Sequence, residues 1–306
     1  MTEQQQAASS RVSAAFCCQR TELTVRETHL DVAALYRDGQ RAPMVFLHGF
    51  GSTKEDYADI VRHPAFDGRP FLAYDAPGCG ETVCDDLTAI SIPFLVDTAL
   101  AMLDRFGFDR FHLIGHSMGG LTALMLAQRC PERVLSFVDI EGNIAPEDCF
   151  LSRQIVTYAD DDAGRFFDEF IRRTHASPAW SGALYAASLR HKVRAGAVRG
   201  IFQSMVELSD SGDLMTRFLG LPCPTMFMYG EQNASLSYLE HIARYGVRLA
   251  EIPSAAIFRC TPTRWRCGGR SRISMPTRRQ TDRRRYSDRL TQVRQQIGGF
   301  GLQGRA

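Results

Sequence analysis

Short continuous apolar runs recur along this chain and are separated by stretches of helical periodicity. The runs are found at 43–47, 70–74, 111–114, 134–140 and 223–229. Runs of this length are typical of strands covered on both faces of a parallel sheet. Residues 91–106 and 121–129 instead repeat their apolar side chains at helical spacing. Strands that alternate with helices predict βαβ units and a mostly parallel sheet with right-handed crossovers, which is an α/β fold.

Two other regions depart from this alternation. Residues 1–20 are expected to form a disordered tail, before strand candidates at 22–26 and 29–36. Residues 144–215 contain helical patterns without strands, which predicts a helical cap inserted after the sixth predicted strand. The expected core therefore has two parts, 21–143 and 216–253.

The sharpest motif is Gly115-His116-Ser117-Met118-Gly119, between the apolar run at 111–114 and the helical pattern at 121–129. This context predicts a strand, a one-residue corner and a helix. Such a corner forces strained backbone angles on its apex, and the flanking glycines remove Cβ atoms that would clash. Ser117 then projects from the sheet, near free N–H groups at the start of the helix.

Two more motifs accompany this corner. His48-Gly49-Phe50-Gly51 follows the run at 43–47, and Asp75-Ala-Pro-Gly-Cys-Gly80 follows the run at 70–74. Over about residues 30–253 the chain therefore resembles the α/β-hydrolase superfamily, in the capped branch that includes esterases and carbon–carbon bond hydrolases. Relatives that open epoxides or cleave carbon–halogen bonds carry Asp at the apex, so Ser117 favours acyl transfer and hydrolysis.

The resemblance implies where an oxyanion would be stabilised. The backbone N–H groups of Phe50 and Met118 are the expected donors, each worth roughly 3–4 kcal/mol in kcat terms. The alternative for residues 48–51 is an ordinary glycine turn, which the corner downstream makes the weaker interpretation.

The resemblance also suggests a role for the aromatic residues of the cap. These residues are Phe166, Phe167, Phe170 and Trp180. They are expected either to shape an acyl pocket or to pack the cap against the core, and the sequence leaves both roles open.

A carboxylate must orient the catalytic base, and the family places it after the sixth or the seventh strand. The later position carries Asn233, which can bond to an imidazole but supplies no charge. We therefore predict Glu141, just after the run at 134–140, with Glu231 as the fallback. The alternative for Glu141 is a surface loop glutamate. Asp139 is expected inside the strand.

No histidine occupies the position expected for the base. The family places it after the last strand, here just beyond residue 253, but all eight histidines precede residue 254. His48 belongs to the oxyanion loop, and the side chain of His116 is expected to leave the corner in another direction. The remaining candidates are expected in the cap or at the surface. We assign the base to none of them.

The charge distribution changes at the same point. Residues 254–306 contain thirteen Arg, no Lys, two Asp and no Glu, for a net charge of +11, whereas residues 1–253 carry −9. A frame shifted one nucleotide back is compatible with the codons of residues 254–268. It reads Ser-Gly-His-Phe-Pro-Met-Tyr-Ser-Asn-Pro-Val-Ala-Met-Trp, a histidine loop followed by a helical pattern.

We therefore hypothesise that residues 254–306 are an out-of-frame translation of a hydrolase C-terminus. The alternative is a genuine basic tail, which is expected to be solvated and disordered. The run Arg283-Arg284-Arg285 has no interleaved aromatic residue beyond Tyr286, which does not favour nucleic-acid binding.

The remaining features limit the function. No apolar run is long enough to cross a bilayer, and the first residues are polar, so we expect a cytoplasmic protein without membrane association. The nine cysteines lack convincing zinc spacing, and no metal or organic cofactor is implied. We expect a serine hydrolase of a small acyl substrate, impaired by the missing histidine. The alternative is a non-catalytic binding protein of the same fold.

Overall fold

The computed structural model describes residues 16–158, 162–177 and 182–252, which form one mixed sheet with helices around it. The strands are β1 Cys17–Val25, β2 Thr28–Arg37, β3 Met44–Leu47, β4 Phe71–Tyr74, β5 Val83–Cys84, β6 Phe111–His116, β7 Val134–Ile140, β8 Thr225–Gly230 and β9 Arg248–Ile252. The α-helices are α1 Ile92–Arg105, α2 Met118–Arg129, α3 Ala163–Ala176, α4 Gly182–Lys192, α5 Ala195–Ser211, α6 Leu214–Leu219 and α7 Leu239–Arg244. The predictions for residues 1–15, Trp180 and 254–306 lie outside the described residues.

The order of the strands confirms a mostly parallel α/β sheet. It runs β1-β2-β4-β3-β6-β7-β8-β9, and β5 pairs with β2 outside this path. The pairs from β4 to β9 are parallel, whereas β2 is antiparallel to its neighbours. Because the two-residue strand β5 was not predicted, the strand expected to be the sixth is β7.

The first strand begins inside the segment predicted as a disordered tail. Cys17 pairs with Tyr36 across the antiparallel β1–β2 ladder, and Arg20 Nε donates to Asp31 Oδ1 at 2.9 Å. The prediction of a disordered tail was therefore wrong for residues 17–20, which belong to β1. An edge strand has one neighbouring strand and a solvated side, so it lacks the apolar run on which the prediction depended.

Different helices pack on the two faces of the sheet. Helices α1 and α2 pack on one face, where Phe94, Leu113 and Leu121 are fully buried. On the other face, 3₁₀ helices over Lys54–Arg62 and Pro64–Phe66 cover part of a second apolar cluster. Every helix in the described part of the chain is too short or too polar to span a bilayer.

Helices replace strands between β7 and β8, as predicted for this region. Helices α3, α4, α5 and α6 lie there, after short 3₁₀ turns at Pro146–Cys149 and Ser152–Ile155. Backbone hydrogen bonds attach this insertion to the loop after β4. The Gly80 N–H donates to the Lys192 carbonyl at 2.8 Å, and the Arg194 N–H donates to the Gly78 carbonyl at 2.8 Å. The inserted helices are therefore held at the carboxyl edge of the sheet.

A strained turn joins β1 to β2. Val25 pairs with Thr28, which leaves Arg26 and Glu27 as a two-residue loop. Their φ angles are 48° and 68°. Two-residue hairpin loops with both φ angles positive favour asparagine and glycine, so these side chains strain the turn.

Glu27→Gly is expected to raise the free energy of unfolding by about 0.5–1 kcal/mol. Relief of about 1–2 kcal/mol of Cβ strain exceeds the entropic cost of about 0.5–1 kcal/mol for a glycine. Urea unfolding measures the change. The matched control is Glu22→Gly in the extended part of β1, which should lower stability by about 0.5–1 kcal/mol. Equal destabilisation by both substitutions would show that the turn is not strained.

Candidate active site

Ser117 forms the one-residue corner that the sequence predicts. Strand β6 ends at His116 and α2 begins at Met118, so Ser117 alone connects them. Its φ of 51° and ψ of −119° are strained for a residue with a side chain. The Ser117 N–H donates to the Ile140 carbonyl of the neighbouring strand at 3.0 Å. Ser117 is partly exposed, so its hydroxyl stands at the carboxyl edge of the sheet.

The glycines around Ser117 allow very close backbone contacts. A Cβ on Gly115 would lie 2.4 Å from the Gly119 carbonyl oxygen. A Cβ on Gly119 would lie 2.2 Å from the Leu47 carbonyl oxygen and 2.5 Å from that of His48. Both separations are impossible for a side chain, which explains the glycine at each position. They also bring the start of α2 directly beside the end of β3.

The loop after β3 is held by His48, which is almost completely buried. The Ala76 N–H donates to His48 Nε2 at 2.8 Å, so the ring proton is on Nδ1. His48 Nδ1 then donates to the Gly49 carbonyl oxygen at 2.8 Å, which also accepts from the Ser52 N–H at 3.1 Å. Both ring nitrogens of His48 are engaged, so this histidine is not arranged to act as a base.

Bonds to the Gly49 carbonyl oxygen also orient the Phe50 N–H. The two groups belong to one planar trans peptide and point in opposite directions. In the described residues, neither the Phe50 N–H nor the Met118 N–H donates to an acceptor of the protein. Met118 is the first residue of α2, where N–H groups have no partner within the helix. Both candidate oxyanion donors are thus available. Met118 directly follows Ser117, and a Cβ on Gly49, next to Phe50, would lie 3.1 Å from the His116 carbonyl oxygen.

The inserted helices contact this loop through Phe50. The Tyr185 hydroxyl of α4 donates to the Phe50 carbonyl oxygen at 2.9 Å. The Phe50 ring lies 6.1 Å from that of Phe170 and 4.6 Å from that of Phe202, between ring centroids. Nothing in the local sequence pointed to Tyr185, because it is 135 residues from Phe50.

The predicted cap aromatics are part of the same packing. Phe166, Phe167 and Phe170 are at most 3% exposed, and the Phe167 and Phe50 rings meet edge to face at 6.5 Å. Of the two roles left open by the sequence, packing against the core is the one the structure shows for these three residues.

Glu141 follows β7, which pairs with the strand that leads to Ser117. Its φ is 49°, so it also has a strained backbone. Glu141 Oε1 accepts from the Gly230 N–H at 2.7 Å and from Asn233 Nδ2 at 2.7 Å. Among the described residues Oε2 has no hydrogen-bond partner. Burial raises the pKa of Glu141, although the bonds from Gly230 and Asn233 oppose that rise.

Asn233 and Glu231 are the other two positions considered for the orienting residue, and their surroundings differ. Asn233 is a neighbour of Glu141 and holds its carboxylate. Glu231 is exposed on a 3₁₀ turn. The geometry therefore favours Glu141 as the orienting carboxylate.

Asp139 lies inside β7, as expected, and is fully buried. Its Oδ1 accepts from the Gly142 N–H at 2.9 Å, while Oδ2 has no partner in the described residues. Burial, reinforced by Asp148, raises the pKa of Asp139 well above its ordinary value. The folded protein therefore favours the protonated form of Asp139 more than the unfolded chain does.

None of the histidines is arranged as the missing base. All eight lie within the described residues, and none has a hydrogen bond to Ser117 or Glu141 there. The ring of His116 lies against Gly49, where a Cβ would be 2.7 Å from its Nδ1. Burial lowers the pKa of His116 to about 4, which makes it a weak base. His175 and His191 are exposed on α3 and α4, and the His241 ring lies 4.8 Å from that of Tyr245.

A buried ion pair also links the segment after β3 to the loop after β4. Lys54 Nζ donates to Asp75 Oδ2 at 2.9 Å, with 2% and 0% of the two residues exposed. Burial opposes the charge on Lys54, but bonds to Glu55, Asp75 and Glu81 raise its pKa. A Cβ on Gly80 would lie 2.3 Å from the Asp75 carboxyl carbon, which explains the second glycine of this motif. The sequence showed the motif but not its buried lysine.

Comparison with known proteins supports the same fold. A family model described as the alpha/beta hydrolase fold matches residues 42–245. Pimeloyl-[acyl-carrier protein] methyl ester esterase of Aeromonas hydrophila is 34% identical over 117 residues, or 38% of this chain and 42% of that protein. The acetyltransferase component of the acetoin cleaving system of Pseudomonas putida is 39% identical over 95 residues, or 31% of this chain and 25% of that protein. The chain thus spans less than half the length of these curated relatives.

Solved structures are similar over a larger part of the chain. A thermophilic esterase from Thermogutta terrifontis has a TM-score of 0.60 at 19% identity, covering 79% of this chain and 92% of the other. An enol-lactonase from Burkholderia xenovorans has a TM-score of 0.57 at 20% identity, covering 78% and 93%. At these identities the likeness shows the fold alone.

Asp139→Asn is expected to stabilise the protein increasingly as the pH rises above about 4, near the unfolded pKa of an aspartate. The raised pKa means that the folded chain retains a proton that the unfolded chain releases. Stability conferred by this group is thus lost with rising pH, by up to about 1.4 kcal/mol per pH unit. Asparagine keeps the bond from Gly142 and does not titrate.

Urea unfolding between pH 4 and 8 measures this difference. The control Val138→Ala, a buried apolar residue of the same strand, should lower stability by the same amount at every pH. A stability difference between wild type and Asp139→Asn that stays constant with pH would contradict the raised pKa of Asp139.

Proposed function

Because the chain belongs to the α/β-hydrolase fold family, we propose that it has the site of a serine hydrolase for a small ester or related acyl substrate. One observation carries this proposal. Ser117 occupies a strained corner beside two N–H groups, of Phe50 and Met118, that have no acceptor in the described residues. A serine hydroxyl next to such donors suits attack on a carbonyl group.

In the proposed reaction, Ser117 Oγ attacks the acyl carbonyl carbon of the substrate. The carbonyl π electrons move to oxygen, and the N–H groups of Phe50 and Met118 stabilise the oxyanion. When the oxyanion collapses, the alcohol leaves with a proton and an acyl-enzyme remains. Water then attacks the acyl-enzyme, which releases the acid and restores Ser117.

Each step needs a proton carrier between Ser117 and the leaving group. Glu141 is held by Gly230 and Asn233 in a way that suits orientation of an imidazole. The chain supplies no histidine in contact with Glu141. We therefore propose that this chain has an impaired site, in which the oxyanion donors leave a residual activity of about 10³–10⁴-fold over water.

The substrate class is supported by the relatives and by the inserted helices. The names of the similar proteins include a methyl ester esterase and an enol-lactonase, both of which indicate acyl chemistry. We propose that residues 144–215 form a cap that limits the size of the acyl substrate, because α3, α4 and α5 pack against Phe50.

The missing base also supports a second function. A protein of this fold without its base can bind a small molecule without converting it. The rival proposal is therefore a non-catalytic binding protein, and the two proposals differ in whether Ser117 reacts.

Turnover of p-nitrophenyl acetate by the full chain separates the two. We expect slow hydrolysis that Ser117→Ala lowers further, because Oγ is the proposed nucleophile. Thr122→Ala is a control, since its hydroxyl is buried and donates to the Met118 carbonyl inside α2. A fluorophosphonate probe should label wild type and not Ser117→Ala. Absence of both turnover and labelling would support the binding protein.

The frame-shift hypothesis has its own test, because residues 254–306 lie outside the described part of the chain. We expect resequencing of the gene to show one more nucleotide near codon 254. A chain made with that nucleotide should hydrolyse p-nitrophenyl acetate at least about 10³-fold faster, since it gains the base. The hypothesis is refuted if resequencing confirms the present reading frame and the chain made with the added nucleotide is no more active than the present chain.

A further inference from the structure

A groove away from Ser117 gathers three arginines in a part of the chain that is otherwise acidic. Its volume is about 270 Å³, and residues 1–253 together have a net charge of −9. We call it the arginine groove and define it by six of its lining residues, which are Arg26, Val96, Met125, Arg129, Leu208 and Arg217. It lies at the C-terminal end of α2, about 18 Å along the helix from Ser117.

The charges of the groove are not balanced. One carboxylate, that of Asp97, bridges Arg26 and Arg129. Arg217 is exposed on α6, and its guanidinium has no ion pair or hydrogen bond to the described residues. Its carbonyl oxygen accepts from Gln128 Nε2 at 2.6 Å, which fixes the backbone at this position. Two of the three guanidinium groups thus share one carboxylate, and that of Arg217 has none among the described residues.

The turn between β1 and β2 contributes to this arrangement. Arg26 has a φ of 48°, a conformation that costs a non-glycine residue about 1–2 kcal/mol. The strained turn places the Arg26 guanidinium against Asp97, in the second turn of α1. Strain is tolerated where the surrounding structure enforces it, and such positions are common at ligand sites.

Apart from Gln128, the residues that line the groove beside the arginines are apolar. Val96 of α1, Met125 of α2 and Leu208 of α5 line the same groove. A purely ionic ligand would leave this surface uncovered, whereas a neutral apolar ligand would leave the charge of Arg217 unused. The groove therefore combines an anion-binding group with an apolar wall.

We propose that the arginine groove binds a monoanionic amphiphile, namely a carboxylate on an unbranched apolar tail. The guanidinium of Arg217 matches a carboxylate through two parallel hydrogen bonds. The tail lies along Val96, Met125 and Leu208. The carboxylate of Asp97 repels additional negative charge, which favours a single anionic charge over a dianion. This site does not depend on the reaction at Ser117.

Titration of the full chain with sodium octanoate at pH 8, followed by calorimetry and by backbone amide NMR, tests the proposal. We expect octanoate to shift the amides around Met125, Leu208 and Arg217. Arg217→Gln should weaken binding at least about tenfold, because it removes the charged guanidinium that donates two parallel hydrogen bonds. Arg172→Gln, an exposed arginine of α3, is the matched control and should leave the affinity unchanged.

Three other ligands separate the contributions of head and tail. Acetate lacks the tail, 1-octanol lacks the charge and octyl phosphate is a dianion at pH 8, so each should bind at least about tenfold more weakly than octanoate. The proposal is overturned if octanoate does not bind, if Arg217→Gln binds it as wild type does, or if 1-octanol binds equally well. Shifts confined to residues around Ser117 would also overturn it.

Discussion

The candidate active site depends on one close backbone approach, between the start of α2 and the end of β3. Gly119 lies so near the carbonyl oxygens of Leu47 and His48 that no side chain fits there. This approach places the first N–H of α2 beside the loop that carries Phe50. It also leaves Ser117 as the only residue that can turn the chain from strand to helix, at the cost of a strained backbone.

Buried polar groups keep the other half of the site in place. His48 spans from the Ala76 N–H to the Gly49 carbonyl, and through that peptide it directs the Phe50 N–H. The Lys54–Asp75 pair fixes the loops on either side. Burial makes each of these groups costly to leave without a partner, so they confine the loop to one geometry. Tyr185 adds a bond from the inserted helices to the same loop.

In the described residues, the candidate site lacks a proton acceptor beside Ser117. Glu141 is held at one oxygen by Gly230 and Asn233, and its second oxygen has no partner in the described residues. An imidazole between that oxygen and Ser117 would complete the arrangement. His116 is the nearest histidine in sequence, but its lowered pKa makes it a poor proton acceptor. Among the described residues, the structure thus holds a candidate nucleophile and candidate oxyanion donors but no group placed to accept the proton.

Local sequence signals were sufficient for the parallel strands, the corner at Ser117 and the position of Glu141, because each depends on residues close together in the chain. Residues 17–20 escaped prediction, since an edge strand needs no apolar run. The contact from Asn233 to Glu141 and the bond from Tyr185 to Phe50 join residues 92 and 135 positions apart. Such contacts follow from packing of the whole fold, and no local sequence pattern around Asn233 or Tyr185 predicts them.

The central claim is that Ser117 lacks only a proton acceptor. The most direct measurement is the rate of p-nitrophenyl acetate hydrolysis as the imidazole concentration rises, for the wild type and for Ser117→Ala. We expect imidazole to accelerate the wild-type reaction to a saturating rate above the reaction of imidazole alone. We expect no such acceleration in Ser117→Ala, and a smaller one in Glu141→Gln. Equal rates with and without Ser117 at every imidazole concentration would contradict this claim.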